Sequence, residues 1–197
     1  ETLDYLSSFR PRWNSKTESE LLERFRLDPT KKTTALSKGQ KTQVALIAAL
    51  CPETDLLVLD EPTSGLDPIV RREFIETVIG AYQESGNRTI LVSTHLITEF
   101  EGLIDEFTIV DGGRVVLTAE SDSARGRFQK IRARFPHPAP DLTFDGAIHI
   151  RRAGRELDLV VHAGGSEVME SLKRHNPESL SAESLTLEEI FVAVLQS

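Results

Sequence analysis

A run of four apolar residues followed at once by two acidic ones is the strongest constraint in this sequence. The run extends from Leu56 to Leu59 and continues with Asp60, Glu61 and Pro62. An apolar run without alternation is typical of a strand that is covered on both faces, as in parallel sheets. Adjacent carboxylates repel each other and are costly to remove from water unless a cation pairs with them. The stretch therefore predicts a buried strand that ends at a cation site.

Helices and strands are predicted to alternate around this stretch. One helix should run over 38–50, and another should start at Asp67-Pro68, where Asp caps the free N–H groups and Pro suits the first turn. Its apolar spacing extends to a cap at Gly86. A second buried strand covers 89–95, and a hairpin covers 106–117. This order implies an α/β layer with a mainly parallel sheet.

The composition divides the chain into two parts. The polar stretch ESDSARGR at 120–127 predicts a linker, and the β-like runs and helices beyond it predict a small α+β domain over 128–197. The first domain then covers 1–119, with a helical part up to residue 50 or so and an α/β part over 51–119. Within the helical part, Thr17 to Glu20 has the pattern of a capping box at a helix start.

Charge and cysteine content limit the kind of partner. The chain has 197 residues, a net charge of −8 and a pI near 5.2. Because phosphate neutralisation needs a basic face, this balance argues against nucleic acid as the main partner. The single cysteine, Cys51, excludes an internal disulfide framework and fits a reducing compartment. No apolar run is long enough to cross a bilayer.

Three residues at the predicted strand ends can carry chemistry. In an open parallel sheet, ligands bind beyond the carboxyl ends of the strands, where Asp60, Glu61 and His95 are expected. Asp60 suits Mg²⁺, which prefers oxygen ligands and keeps part of its water shell. Glu61 should point in another direction and can polarise an attacking water. From these residues alone, a solvated strand end without chemistry explains the pattern equally well.

The stretch LSKGQ, from Leu36 to Gln40, predicts a second site. Ser37 can cap the helix that follows, with Gln40 as its capping-box partner. The free N–H groups of a helix start favour a phosphate, and Gly39 has no side chain to keep an anion at a distance. A plain capped helix remains the simpler explanation when this motif is considered alone.

Together, the motifs resemble those of the ATP-binding cassette (ABC) ATPases. LSKGQ, LLVLDEP, SGLD and STH follow one another in the family's order and at its intervals, and the resemblance covers at least 35–116. It implies the second half of a P-loop NTPase core with a helical subdomain. By this resemblance, Ser37, Gly39 and Gln40 match the signature motif, which faces ATP on the opposite subunit. Asp60 matches the magnesium side of Walker B, and Glu61 matches the catalytic carboxylate. Asp67 matches the end of the D-loop, and His95 matches the switch histidine that contacts the γ-phosphate.

The sequence departs from the family pattern at two places. Lys38 stands where the commonest signature has glycine, and it adds a cation near the polyphosphate. No glycine is followed by lysine, so the phosphate loop G-x-x-x-x-G-K-[ST] is absent, and no glutamine loop is identifiable. In the family both precede the signature helix, and the chain begins with Glu1. We therefore expect an N-terminally truncated piece that hydrolyses ATP negligibly by itself.

The resemblance implies an ATPase that powers a membrane transporter. ATP and Mg²⁺ are the expected cofactors. A second ABC ATPase subunit, identical or different, and an integral membrane permease subunit are the expected partners, without nucleic acid. The protein would then be cytoplasmic and peripheral on the inner face of the cell membrane. The C-terminal stretch SLTLEEIFVAVL is similar to the extension found in subunits that serve exporters of drugs, peptides or polysaccharides, and so favours an exporter.

Two alternatives stay open on the sequence alone. One is a soluble ABC-type ATPase that acts on DNA or ribosomes, although no coiled-coil, zinc or tandem-cassette insertion is visible. The other is a non-catalytic regulatory ABC half that lost its phosphate loop naturally. The joint presence of Asp60, Glu61 and His95 argues against an inert module.

Overall fold

Residues 1–85 and 88–196 are described by the computed structural model of the protein. The cap expected at Gly86 lies outside them. The chain divides into two units, Glu1–Leu96 and Ile97–Ser197, and each has an apolar core of its own. Among the helices of the described residues, none is both long and apolar enough to span a membrane.

The first unit consists of helices packed around a two-stranded parallel sheet. Its core includes Leu46 and Ile47 from one helix, Phe74 from another and Leu57 from a strand. In chain order its elements are α1 (Thr2–Ser7), α2 (Ser15–Arg24), a 3₁₀ turn (Thr33–Ala35), α3 (Lys38–Leu50), β1 (Leu56–Asp60), α4 (Pro68–Ser85) and β2 (Thr89–Ser93).

Helix α2 begins earlier than the sequence predicts. The side chain of Asn14 accepts hydrogen bonds from the backbone N–H groups of Lys16 and Thr17, each at 3.0 Å. Ser15 is therefore the first helical residue, and the capping box expected at 17–20 is wrong. Asn is among the strongest N-cap residues. Because Asn14 lies upstream of Thr17 and caps the free backbone N–H groups there, the helix begins before the predicted start.

Helix α3 begins and ends as predicted. The Ser37 hydroxyl accepts from the N–H of Gln40 at 3.2 Å, and the Gln40 side chain accepts from the N–H of Ser37 at 3.1 Å. This is the expected capping box. At the far end Cys51 is completely buried, and burial raises the pKa of its thiol to about 12. Cys51 therefore acts as a small packed residue, since a reactive cysteine needs its thiolate.

Strands β1 and β2 pair in parallel, as predicted, and place Asp60 opposite Ser93 at their carboxyl ends. Leu57 packs in the core, whereas Leu56 and Val58 are 53% and 59% exposed. The expectation that β1 is buried on both faces is therefore wrong for the described structure. Alternate residues of a strand point to opposite faces, and here one face is covered by the helices of the unit.

The second unit combines a β-hairpin, a four-stranded antiparallel sheet and short helices. The sheet has the order β6-β7-β5-β8, so β5 is central, and its Ile131 lies opposite Leu159 of β7. In chain order the elements are α5 (Ile97–Phe100), β3 (Glu106–Asp111), β4 (Arg114–Glu120), α6 (Ser121–Arg127), β5 (Phe128–Arg134), β6 (Ala147–Ala153), β7 (Glu156–His162), α7 (Gly165–Lys173), β8 (Ser179–Ser184) and α8 (Leu187–Leu195).

Residues 120–127 do not form the linker that their composition suggests. Helix α6 occupies Ser121–Arg127, and its Ala124 is buried in a cluster with residues of the hairpin and of α8. The hairpin therefore belongs to the second unit, and the boundary falls after Leu96 instead of at 119. Polar composition favours a loop, but most helical stability comes from packing against other elements, which composition does not report.

Candidate functional site

The side chains of Glu61 and His95 meet at the carboxyl ends of β1 and β2. The Nδ1 atom of His95 lies 2.7 Å from Oε1 of Glu61, and the backbone N–H of His95 donates to the same oxygen at 3.1 Å. The other oxygen, Oε2, accepts a longer bond from the Thr94 hydroxyl at 3.4 Å. An ionised carboxylate can only accept hydrogen bonds, so Nδ1 carries a proton in this pair.

This contact controls the ionisation of Glu61. The hydrogen bond from the His95 side chain holds the pKa of the Glu61 carboxyl below its usual range, and the charge and backbone N–H of His95 act in the same direction. The pair is open to water, because the Glu61 side chain is 39% exposed and that of His95 is 68% exposed. A carboxylate with a lowered pKa is firmly ionised but is also a weaker base.

The backbone of Glu61 has a conformation that is rare for a residue with a side chain. Its φ is +42°, in the left-handed region. Its N–H donates to the Ser93 carbonyl at 2.7 Å, which continues the pairing of the two strands beyond their ends. Strained backbone of this kind is concentrated at functional sites. The regular strand therefore ends at Asp60, and the turn begins at Glu61.

Asp60 is exposed at the end of β1. Its carboxylate is a hard oxygen ligand, and across residues 1–85 and 88–196 no group of three or more His, Cys, Asp or Glu side chains could hold a metal ion. Mg²⁺ does not need such a group, since it keeps several waters and is usually bound by one or two carboxylates plus substrate phosphates. Asp60 therefore fits Mg²⁺ that arrives with a nucleotide.

The segment after Glu61 forms tight turns that lead towards α4. The N–H of Ser64 donates to the Glu61 carbonyl, and the N–H of Leu66 donates to the Thr63 carbonyl, both at 3.2 Å. Thr63 and Leu66 are buried, whereas Ser64 and Gly65 are exposed. Buried residues thus hold the turn in place, and its tip faces water.

Asp67 ends this segment as the N-cap of α4. Its Oδ1 accepts from the N–H groups of Ile69 and Val70, each at 3.1 Å. The helix start predicted at Asp67-Pro68 is therefore confirmed. The sequence predicts that Asp67 binds the nucleotide. One oxygen of its carboxylate, Oδ1, already stabilises the helix.

Lys38 and Gly39, at the start of α3, lie against this same region. A β-carbon placed on Gly65 would be 2.3 Å from Nζ of Lys38, so the ammonium group lies directly over that glycine. A β-carbon placed on Gly39 would be 3.4 Å from Cγ1 of Val70. The missing side chain of Gly39 thus faces α4, whereas the motif predicts that it leaves room for an anion.

The structure therefore assembles the predicted residues in two groups. Glu61 and His95 touch each other beside Asp60, and the start of α3 reaches the turn that Asp67 closes. Sequence reasoning misses Thr94, whose hydroxyl bonds the Glu61 carboxylate and accepts from the N–H of Leu96 at 3.0 Å. The available signal is a hydroxyl residue directly before a histidine at the end of a strand.

Comparison with known proteins shows what this arrangement is similar to. The family model "AAA domain, putative AbiEii toxin, Type IV TA system" matches residues 9–100. The ABC transporter ATP-binding protein YtrB of Bacillus subtilis is 23% identical over 98% of this chain and 66% of its own length. The daunorubicin resistance ATP-binding protein DrrA3 of Streptomyces coeruleorubidus is 38% identical over 54% of this chain and 34% of its own length. A solved structure of the ATP-binding subunit of an ABC transporter matches with a TM-score of 0.51 and 32% identity, over 57% of this chain and 47% of that one. Over part of its length, the chain is therefore similar to ATP-binding proteins of ABC transporters.

The match to an ABC ATP-binding subunit also confirms the predicted α/β fold class over about half of the chain. The chain spans 66% of the length of YtrB and 34% of that of DrrA3. Proteins named for thiamine import and for daunorubicin resistance both occur among the ABC relatives. The names of these relatives alone therefore give no direction of transport.

Proposed function

We propose that the protein is an ATP-hydrolysing subunit of an ABC transporter, with Glu61 and His95 as its catalytic residues. The observation that carries the proposal is the contact between these side chains at the carboxyl ends of two parallel strands, next to the exposed Asp60. A carboxylate and an imidazole in hydrogen-bond contact can hold and move a proton. Relatives named as ATP-binding proteins support ATP as the nucleotide.

The remaining predicted residues bind the nucleotide in this proposal. Asp60 would hold Mg²⁺ through water, and the bound ion would neutralise charge on the β- and γ-phosphates. Two chains act together, so that the start of α3 in one chain faces ATP held by the other. That surface consists of Ser37, Lys38, Gly39 and Gln40, with Asp67 at the adjoining turn.

Glu61 acts as the base for the attacking water through Oε2. Its Oε1 is occupied by two hydrogen bonds from His95, whereas Oε2 receives one long bond from Thr94. A water that donates to Oε2 is polarised for attack on the γ-phosphate. If the His95 ring leaves Oε1 to contact that phosphate, the hydrogen bond that lowers the pKa of Glu61 is lost. Glu61 then becomes a stronger base at the moment when one is needed.

The proposal includes the partners and the location. A permease subunit in the membrane and a second ATPase subunit complete the transporter, and the protein is cytoplasmic on the inner face of the cell membrane. Export is favoured by the C-terminal stretch SLTLEEIFVAVL. The 197-residue chain on its own should hydrolyse ATP negligibly, because no glycine in it is followed by lysine and a phosphate loop needs both.

The test is a glutamine substitution in the full-length gene product. Glu61→Gln keeps the size of the side chain but removes the base, so ATP binding should persist while turnover falls about 10²- to 10⁴-fold. Glu20→Gln is the control, since Glu20 is an exposed carboxylate whose partner is Lys16 at 3.7 Å. Unchanged turnover in Glu61→Gln would show that Glu61 is not the base for the attacking water.

Two further measurements examine the rest of the proposal. Strong Mg²⁺-dependent turnover by the 197-residue chain would contradict the expected need for a phosphate loop. Affinity purification of the full-length protein should recover a polytopic membrane subunit. Recovery of ribosomes or DNA instead would favour the soluble ABC-type ATPase.

A further inference from the structure

A groove of about 590 Å³ lies in the second unit, between α8 and one face of the four-stranded sheet. His149 and Val192 belong to its lining, together with three basic and three acidic residues: Lys130, Arg132, Arg151, Asp158, Glu188 and Glu189. The charges of these six residues cancel. The groove therefore suits a partner that carries both signs of charge better than a simple anion or cation.

The charged residues of the sheet form a row across three strands. Asp158 of β7 lies opposite Arg132 of β5 on one side and opposite Arg151 of β6 on the other. Residues that lie opposite each other in a sheet project from the same face. Arg132 is paired with Glu183 at 3.2 Å, whereas Arg151 is exposed and forms no ion pair among the residues that the structure describes. Its positive charge stands on β6, which is an edge strand.

Helix α8 contributes an apolar stripe and an acidic residue. Glu188, Val192 and Leu195 have the spacing i, i+4 and i+7, so they lie on one face of the helix. Val192 and Leu195 are 43% and 38% exposed, although every residue over 190–195 is apolar. A helix that is apolar on every side is normally covered on every side. The exposed stripe therefore favours contact with a further surface.

The unpaired charges of the groove have opposite signs. Lys130 and Glu189 neutralise each other at 3.3 Å, whereas Glu188, like Arg151, has no ion-pair partner within residues 1–85 and 88–196. A surface with both signs and an apolar stripe can pair with a copy of itself, because each contact then occurs twice about a two-fold axis.

We propose that this groove and α8 form a contact between two copies of the chain. Glu188 of each copy faces Arg151 of the other, and the apolar stripe that contains Val192 lies at the centre. The contact involves no nucleotide, so it goes beyond the proposed ATPase function and does not depend on it.

The test is self-association of the 197-residue chain without nucleotide, measured by sedimentation velocity over a range of concentrations. A groove of this size fits the small, transient class of interface, so dimers should form with a Kd in about the micromolar range. Arg151→Glu brings two acidic residues together, and Glu188→Lys brings two basic residues together. Each variant alone should raise the Kd at least about tenfold, because the like charges meet twice in every dimer.

An equimolar mixture of the two variants tests the pairing directly. In a mixed dimer, opposite charges face each other at both contacts, so dimers should reappear with nearly the original Kd. Arg114→Glu is the control, since Arg114 is an exposed arginine at the start of β4, outside the groove. It should leave the Kd unchanged.

Three results would overturn the proposal. If the chain stays monomeric well above the micromolar range, the groove serves another occupant, such as a small amphipathic ligand. If dimers persist unchanged in both single variants, another surface joins the copies, such as the face of β1 with the exposed Leu56 and Val58. If the mixture stays monomeric, Glu188 and Arg151 do not face each other. Since ATP takes no part, these results leave the proposed function untouched, and an inactive full-length protein would count against the proposed function alone.

Discussion

Ser37 allows the structural role of the α3 start to be separated from a nucleotide-binding role. Its hydroxyl accepts from the N–H of Gln40 at 3.2 Å, and the helix that it caps buries Leu46 and Ile47 in the core. Ser37→Ala removes this acceptor and should lower the free energy of unfolding by about 1 kcal/mol. The loss stays moderate because the Gln40 side chain can still accept from the backbone N–H of residue 37.

Ser37→Asp is the matched variant for the second role. Asp caps a helix about as well as Ser, and its negative charge suits a helix N-terminus. The free energy of unfolding should therefore change by less than about 0.5 kcal/mol. If ATP phosphates approach Ser37, the added carboxylate repels them. The full-length Asp variant should then lose more ATPase activity than the Ala variant, although the Ala variant is the less stable one.

The two quantities are measured separately. Urea unfolding followed by circular dichroism gives the free energy of unfolding of each variant. In thermal unfolding, a loss of about 1 kcal/mol in that free energy should lower Tm by about 4–8 °C for a unit of this size. Steady-state ATPase rates of the full-length protein give the activity. Equal destabilisation by Asp and Ala would refute the capping argument, and equal ATPase rates would show that no phosphate approaches Ser37.

Two further predictions concern the second unit. Ile131→Ala in the central strand should destabilise the protein by about 2–5 kcal/mol, while Val192→Ala, at a position 43% exposed, should change stability by less than about 0.5 kcal/mol, both measured by urea unfolding. His162 stacks on Phe128 with 4.3 Å between ring centroids, and its Nε2 is buried with no hydrogen-bond partner among the described residues. Burial, aided by the charge of Arg127, lowers the pKa of His162, so the unfolded chain binds more protons than the folded one between that pKa and the ordinary value of 6.5. Stability should therefore fall as the pH drops below 6.5 and level off below the lowered pKa. His162→Phe should weaken this pH dependence in unfolding curves measured from pH 7 to 4.5. If the variant keeps the same dependence, groups other than His162 cause it.

The features that follow from short-range patterns could be predicted from the sequence. The capping box of α3 is a four-residue signal, and the N-cap at Asp67 is a single residue followed by proline. The contact between Glu61 and His95 follows from one topological rule, since parallel strands bring their carboxyl ends to the same edge. In each case the interaction that decides the structure lies within a few residues or follows from strand direction.

The features that depend on distant partners could not be predicted. Strand β8 has the mostly polar sequence SLSAES, in which Leu180 is the one large apolar residue, but it pairs with β5. Its strand conformation comes from backbone hydrogen bonds to a neighbour more than forty residues away in sequence. Helix α6 is a similar case, because its buried Ala124 gains its contacts from the hairpin and from α8. Composition describes such segments as loops, and the packing that overrides it is not local.

The alternation of side chains along a strand explains the positions of the two adjacent carboxylates. Residues 56, 58 and 60 alternate with 57 and 59, so Asp60 lies on the exposed face of β1 with Val58. Regular continuation of the strand would turn Glu61 to the buried face, where an ionised carboxylate is costly. The left-handed φ at Glu61 breaks that alternation and allows its carboxylate to reach His95 instead. Asp60 thus stays exposed because of its place in the strand, and the strained backbone at Glu61 lets the neighbouring carboxylate take part in a hydrogen-bonded pair.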